Sequence, residues 1–135
     1  MKSFILAIFV TLSAFAQSEE VNEYIKALHR EASNANPAFK EFNAKRGEII
    51  FTSKHVGKEG KDISCVSCHG NNLSKQGENI TTGKIIKPLS PATNPERLSS
   101  VKSVKKWLRR NFNDVYNREG TAQEKGDVLR YISTK

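Results

Sequence analysis

Apolar residues recur at helical spacing in four places along the chain. Val21, Tyr24, Ile25 and Leu28 fall at i, i+3, i+4 and i+7, a single stripe on one helix face. Ser18 stands in front of them as a candidate N-cap, and Glu19 and Glu20 suit the positive end of a helix dipole. Asn34 to Pro37 stops this helix, and Pro37 is placed for the first turn of a second one. That second helix carries Phe39, Phe42, Ile49, Ile50 and Phe51. Gly47 inside it costs ~1 kcal/mol relative to alanine, which predicts a close crossing by another helix. A third stripe, capped by Ser99 or Ser100, runs Val101, Val104, Leu108, with Trp107 beside it. The next position on that stripe is polar Asn111, so the buried face is expected to end on an amide. Thr121-Ala122-Gln123-Glu124 is a capping box, and Val128, Leu129, Tyr131 and Ile132 follow in a last helix.

The segments between are polar. Gly57 to Asp62 reads as a loop. Gly70 to Asn94 reads as a longer one, with Gly70, Gly77 and Gly83, prolines at 88 and 91, and Ile85, Ile86 and Leu89 as its apolar exceptions. A loop of this length in a small domain is usually functional or disordered, and here it can wrap a bound group. No strand periodicity and no repeat is visible, so the fold class is all-α.

The first residues follow a different logic. Lys2 precedes an apolar run from Phe4 to Phe15, broken only by Thr11 and Ser13, and Ala14-Phe15-Ala16 is an A-x-A cleavage site. The expectation is a secretory signal peptide over residues 1–16 and a functional domain over 17–135. The run is short for a bilayer span, so no stable membrane insertion is expected after cleavage; an uncleaved anchor is the alternative. Either way the domain is exported.

Charge narrows the partners. The 135 residues carry a formal net charge of +8, and removing residues 1–16 takes away only Lys2. Nucleic acid is not an expected partner for an exported chain. A basic face for an acidic redox partner fits better, because opposite charge raises encounter rates.

The chemistry sits in one stretch, Cys65-Val66-Ser67-Cys68-His69, which holds both cysteines. A C-x-x-C-H run reads as a covalent attachment site for c-type haem. Positions i and i+3 share a helix face, so Cys65 and Cys68 can both reach one edge of a porphyrin, and His69 can supply the proximal nitrogen. A thioredoxin-like pair lacks its βαβ setting, a zinc site lacks a second ligand pair, and a structural disulfide is the remaining alternative. The apolar content left after the leader is modest, and a haem would give the core an apolar body to pack on. The architecture expected is therefore a small cytochrome c-type helical domain wrapped around one covalent haem, with residues 70–94 covering it and Ile85, Ile86 and Leu89 as candidate porphyrin contacts. Pro88 is a candidate for the carbonyl that orients His69.

The second axial ligand is the open question. Met1 is the only methionine and leaves with the leader, which excludes a His/Met pair within the chain. The candidates are His55, His29, a lysine, Asn111 or an open site. His55 lies in an exposed loop and His29 beside the first stripe, whereas Asn111 lies on an apolar face.

Several stretches resemble the sphaeroides haem protein (SHP) family, small bacterial monohaem cytochromes c that bind oxygen. They are Lys84 to Arg97, overlapped at its start by Thr82 to Ile86; Val104 to Asn111, containing Trp107-Leu108-Arg109-Arg110-Asn111; Asn113 to Val115; and Thr121 to Asp127. The likeness covers roughly Ala44 to the C terminus. It implies that Asn111 ligates ferric iron and dissociates on reduction. It also implies binding of oxygen or nitric oxide, possible nitric oxide oxidation or oxygen reduction, and electrons from a multihaem or membrane-bound cytochrome in the periplasm. The family often has cysteines where this chain has Phe112 and Gly120. A short disulfide is worth ~2–4 kcal/mol, so a more mobile distal segment is expected. A permanently six-coordinate electron carrier, with a ligand such as His55, is the competing function; a thiol–disulfide enzyme would require that no haem be attached.

Overall fold

The structure is a computed structural model that describes residues 17–135; the expected leader lies outside the described residues. Among the described residues five helices carry the fold: α1 (Glu19–Ala35), α2 (Ala44–Thr52), α3 (Val66–His69), α4 (Val101–Tyr116) and α5 (Ala122–Ser133). Two ladders of two-residue strands interrupt the loops. β1 (His55–Val56) pairs antiparallel with β2 (Asp62–Ile63), and β3 (Gly77–Glu78) with β4 (Ile85–Ile86). The all-α reading holds, with these short ladders as an addition to it.

Capping fixes the helix starts as the sequence indicates. Ser18 Oγ accepts from the Val21 N–H, Ser100 from Ser103, and Thr121 from Glu124, whose carboxylate accepts in return from the Thr121 N–H. Glu124 also takes two hydrogen bonds from Arg118 at 2.7 and 2.8 Å. The Arg118 guanidinium holds the Glu124 carboxyl below the usual carboxylate range. Its contribution to stability is therefore present above that range and is lost as pH falls through the lowered value.

Pro37 does not open α2. Asn36 ends α1, and its side chain accepts from the Ala38 N–H, so the chain turns here instead of winding. The helix begins seven residues later, where Asn43 accepts from the Arg46 N–H. Phe39 and Phe42 thus lie in the connection, packed on each other and on His29.

The core forms where α5 crosses α2 and α1. A Cβ on Gly47 would land on the Asp127 carbonyl, and another of its neighbours is Tyr131 Cβ at 2.8 Å. The close crossing expected at Gly47 is thus made with α5. Asp127, 1 % exposed, locks that crossing. It accepts from Arg46 Nε at 2.7 Å, from the second Arg46 nitrogen at 3.0 Å and from the Asn43 N–H at 2.7 Å. Val21, Leu28, Phe51, Val128, Leu129 and Ile132 fill the space around it. Phe51, on α2, stands between this core and α3.

Helix α4 extends past the stripe seen in the sequence. It continues through buried Phe112 and Val115 to Tyr116, and Asn117 closes it in the left-handed region at φ 53°. Asn111 is therefore an interior helix residue, not the terminus of a buried face.

Candidate functional site

The short helix α3 is set by its own sequence. Cys65 is its N-cap, the His69 N–H reaches the Cys65 carbonyl at 3.1 Å, and Gly70 ends the turn at φ 72°. Ser67, between the cysteines, accepts from the Ser64 N–H at 3.0 Å and pins the entry of the chain. Both cysteines are free thiols and half-buried. Burial, with the Cys68 sulfur adding, pushes the Cys65 thiol up to about 12.

A cavity of about 460 Å³ opens beside this turn, between α3, the segment 87–100, α4 and α5. Cys65 and His69 stand on its α3 side. Val104, Trp107, Leu108, Asn111, Phe112 and Tyr116 form the α4 wall, and Val128, Leu129 and Ile132 the α5 wall. Leu89, Arg97 and Leu98 close the loop side, and Phe51 completes the lining. Most of this surface is apolar, with a polar edge at Lys87, Glu96, Arg97 and Ser103.

His69 is held neutral. Burial, and then the positive charge of Arg97, lower its imidazole to about 4. A neutral ring keeps a lone pair for a metal. The Phe51 ring lies 5.8 Å from it and limits how it can turn.

The other candidates lie elsewhere. His55 is not on the cavity wall; its ring packs on Tyr116 at 4.1 Å, and the Tyr116 hydroxyl donates to the Ile50 carbonyl at 2.6 Å. His29 is exposed and hydrogen-bonds to the Lys40 carbonyl at 3.0 Å. Cys68, half-buried, is not on the cavity wall, while Asn111 is. Among the loop residues Leu89 lines the cavity, but Ile85 is exposed and Ile86 lies off the wall; β4 pairs both into its own ladder. The Pro88 carbonyl is not free for His69. It accepts from Arg97 Nε at 2.9 Å and from Asn94 Nδ2 at 3.1 Å.

That pairing brings in residues the sequence did not single out. Arg97, half-buried, also donates to the Lys87 carbonyl at 2.7 Å, so one side chain ties residues 87–88 to the start of α4 and lies close enough to act on His69. Tyr116 is a second. It falls four residues after Phe112 and eight after Leu108, a helical signal obscured by the polar residues between.

Phe112 and Gly120 meet. Phe112 is 5 % exposed, and a Cβ on Gly120 would come within 2.8–2.9 Å of three of its ring carbons. A ring seated on a glycine thus braces the end of α4, where the sequence predicts a looser segment. Gly120→Ala should force that ring aside and cost ~1–3 kcal/mol in a denaturant titration; an unchanged midpoint would show that the contact is slack.

The donor set fits a covalently held haem: a neutral imidazole and a thiol from one helical turn, lining a mostly apolar cavity whose α4 wall includes Asn111. Such a site needs no carboxylate or histidine cluster. No group of three or more His, Cys, Asp or Glu placed to hold a metal ion occurs among the described residues.

Comparison with known proteins agrees. A family model described as Domain of unknown function (DUF1924) matches residues 37–132. Cytochrome c'' of Methylophilus methylotrophus is 32% identical over 134 residues, 97% of this chain and 93% of that protein. Its solution structure, which concerns haem-ligand detachment, matches with a TM-score of 0.75 at 30% identity, covering 86% of this chain and 94% of that one. The cytochrome c-type protein SHP of Cereibacter sphaeroides is 37% identical over 105 residues, 78% of each chain. The structure of oxidised SHP, described as an oxygen-binding cytochrome c, matches with a TM-score of 0.74 at 31% identity, covering 89% of this chain and 100% of that one. With an attachment motif, a helical fold and these relatives in agreement, the chain belongs to the cytochrome c''/SHP family of c-type haem proteins.

Proposed function

We propose that this cytochrome holds one haem through Cys65, Cys68 and His69, and that Asn111 is a second axial ligand that leaves on reduction and clears a place for oxygen or nitric oxide. The observation that carries this reading is the shared cavity: Asn111 lines the same space as Cys65 and His69, while His55 and His29 do not. The described residues contain no methionine to compete.

When bound, the haem supplies an iron centre that exchanges one electron and accepts a ligand on each face. His69, neutral and flanked by Phe51, holds the near face. The Asn111 carboxamide is a hard, weak donor suited to ferric iron and poorly suited to ferrous iron. Once free, the same amide is a hydrogen-bond donor facing a small polar gas. Val104, Leu108 and Leu129 leave little to hydrate a bulky anion, which favours a diatomic ligand. The reaction class supported is oxidation of nitric oxide or reduction of oxygen, in the periplasm, with electrons from a multihaem or membrane-bound cytochrome.

Reduced holoprotein mixed with carbon monoxide should show a shifted Soret band that saturates with one gas per haem. A six-coordinate spectrum indifferent to carbon monoxide would leave a plain electron carrier.

A further inference from the structure

Helix α4 has two faces with different chemistry. One lines the cavity. The other is exposed and carries Lys102, Lys105, Lys106, Arg109 and Arg110 within nine residues. No acidic residue occurs from Arg97 to Asn113. None of the five cations is in an ion pair among the described residues, whereas Lys26, Lys45 and Lys87, also exposed, each have a carboxylate partner.

Trp107 joins the faces. It lines the cavity, yet it is 46 % exposed. Lys106 Nζ lies 5.1 Å from its ring centroid and Arg110 Cζ 5.2 Å. Lys102, Lys106 and Arg110 follow at i, i+4 and i+8, so they form one row along the helix with Trp107 beside it. A large exposed aromatic bordered by unpaired cations suits an interface, with tryptophan as the central anchor and the charges at its polar rim.

Resting on the reading of the chain as a reducible haem protein, we propose that this face of α4 is the docking surface for an acidic one-electron donor protein. The partner presents carboxylates around the edge of its own redox cofactor. They meet Lys102, Lys106 and Arg110, while Trp107 packs at the centre and spans the distance between the partner and the cavity. One electron leaves the partner's cofactor, and the ferric iron ligated by His69 becomes ferrous. Complementary charge raises the rate of encounter, and salt screens it.

The test is stopped-flow reduction of the ferric holoprotein by flavodoxin hydroquinone, an acidic protein donor. Raising ionic strength from about 20 to about 200 mM should slow wild type at least about tenfold, within the range that steered association loses to screening. The Lys102→Glu/Lys106→Glu/Arg110→Glu variant should be about tenfold slower than wild type at low salt and nearly indifferent to salt. A charge-matched variant, Lys26→Glu/Lys40→Glu/Lys45→Glu, should retain most of the wild-type rate. Photoreduction by neutral deazaflavin should be equal in all three, which reports an intact haem site. Equal slowing by both variants, or none by the first, overturns the surface. So does retention of wild type on phosphatidylglycerol vesicles at about 150 mM salt, which would assign the face to lipid, or a dimer that the first variant dissolves, which would assign it to a second copy. Carbon monoxide binding to the reduced variants separates this outcome from failure of the gas-binding reading, because it depends on the cavity and not on the outer face.

Discussion

Asn111→Ala will change the ferric protein far more than the ferrous one. Under the proposed ligation the amide occupies the second ligand position in the oxidised protein, so an added ligand such as azide must displace it. Removing the amide removes that competition. If the bond is worth ~1.4 kcal/mol or more, azide binds the ferric variant at least about tenfold tighter. Carbon monoxide binding to the reduced protein should change little, because in the proposed switch the amide leaves on reduction. The residue lies inside α4, between buried Leu108 and buried Phe112, so the helix survives the substitution. Alanine is also the better helix former. The change in azide affinity is read by optical titration on holoproteins of equal haem content. Equal affinities for wild type and variant would remove Asn111 from the iron.

The largest effect on stability is expected at Asp127. Asp127→Ala leaves the Asn43 N–H without its acceptor and the Arg46 guanidinium without its carboxylate, with only the Glu41 carbonyl still accepting from it. Breaking a buried pair costs ~3–5 kcal/mol, but Arg46 is 43 % exposed and water can serve it, which argues for about 3 kcal/mol. That is a large share of the roughly 5–15 kcal/mol typical of a domain. The loss reaches the site through geometry. Asp127 holds the start of α2 against α5, and Phe51 near the end of α2 backs His69. A guanidinium denaturation curve monitored by far-ultraviolet circular dichroism and at the Soret band should shift its midpoint in both signals together. A shift below about 1 kcal/mol, well short of a broken buried pair, would show that the Gly47 crossing, not the ion pair, carries the join.

How much of this was legible beforehand depended on how local the signal was. Caps were legible because each is written in four residues: Ser18 and Thr121 act as read, and of Ser99 and Ser100 it is Ser100 that caps α4. The attachment turn was legible for the same reason. Asn111 was visible as a polar break in an apolar stripe, and the resemblance to the SHP family gave that break a meaning. The failures involve competition or distance. Pro37 suits a helix start, but Asn36 and Asn43 each offer the backbone a better hydrogen bond, and the turn wins. Two-residue strands have no period to detect. The tie from Arg97 to Pro88 and Lys87 spans nine and ten residues of loop and leaves no pattern. The pairing of Phe112 with Gly120 was hidden because the positions attract notice for the cysteines they lack, not for the ring-on-glycine contact they make.

The proposed switch, fixed at His69 and releasable at Asn111, makes one claim above the others: the coordination number of iron depends on its oxidation state. Resonance Raman coordination-marker bands of one wild-type holoprotein sample, recorded oxidised, reduced and reoxidised, measure it directly. The account predicts six-coordinate iron when oxidised, five-coordinate iron when reduced, and full return on reoxidation. Six-coordinate iron in both states, or five-coordinate iron in both, would contradict it.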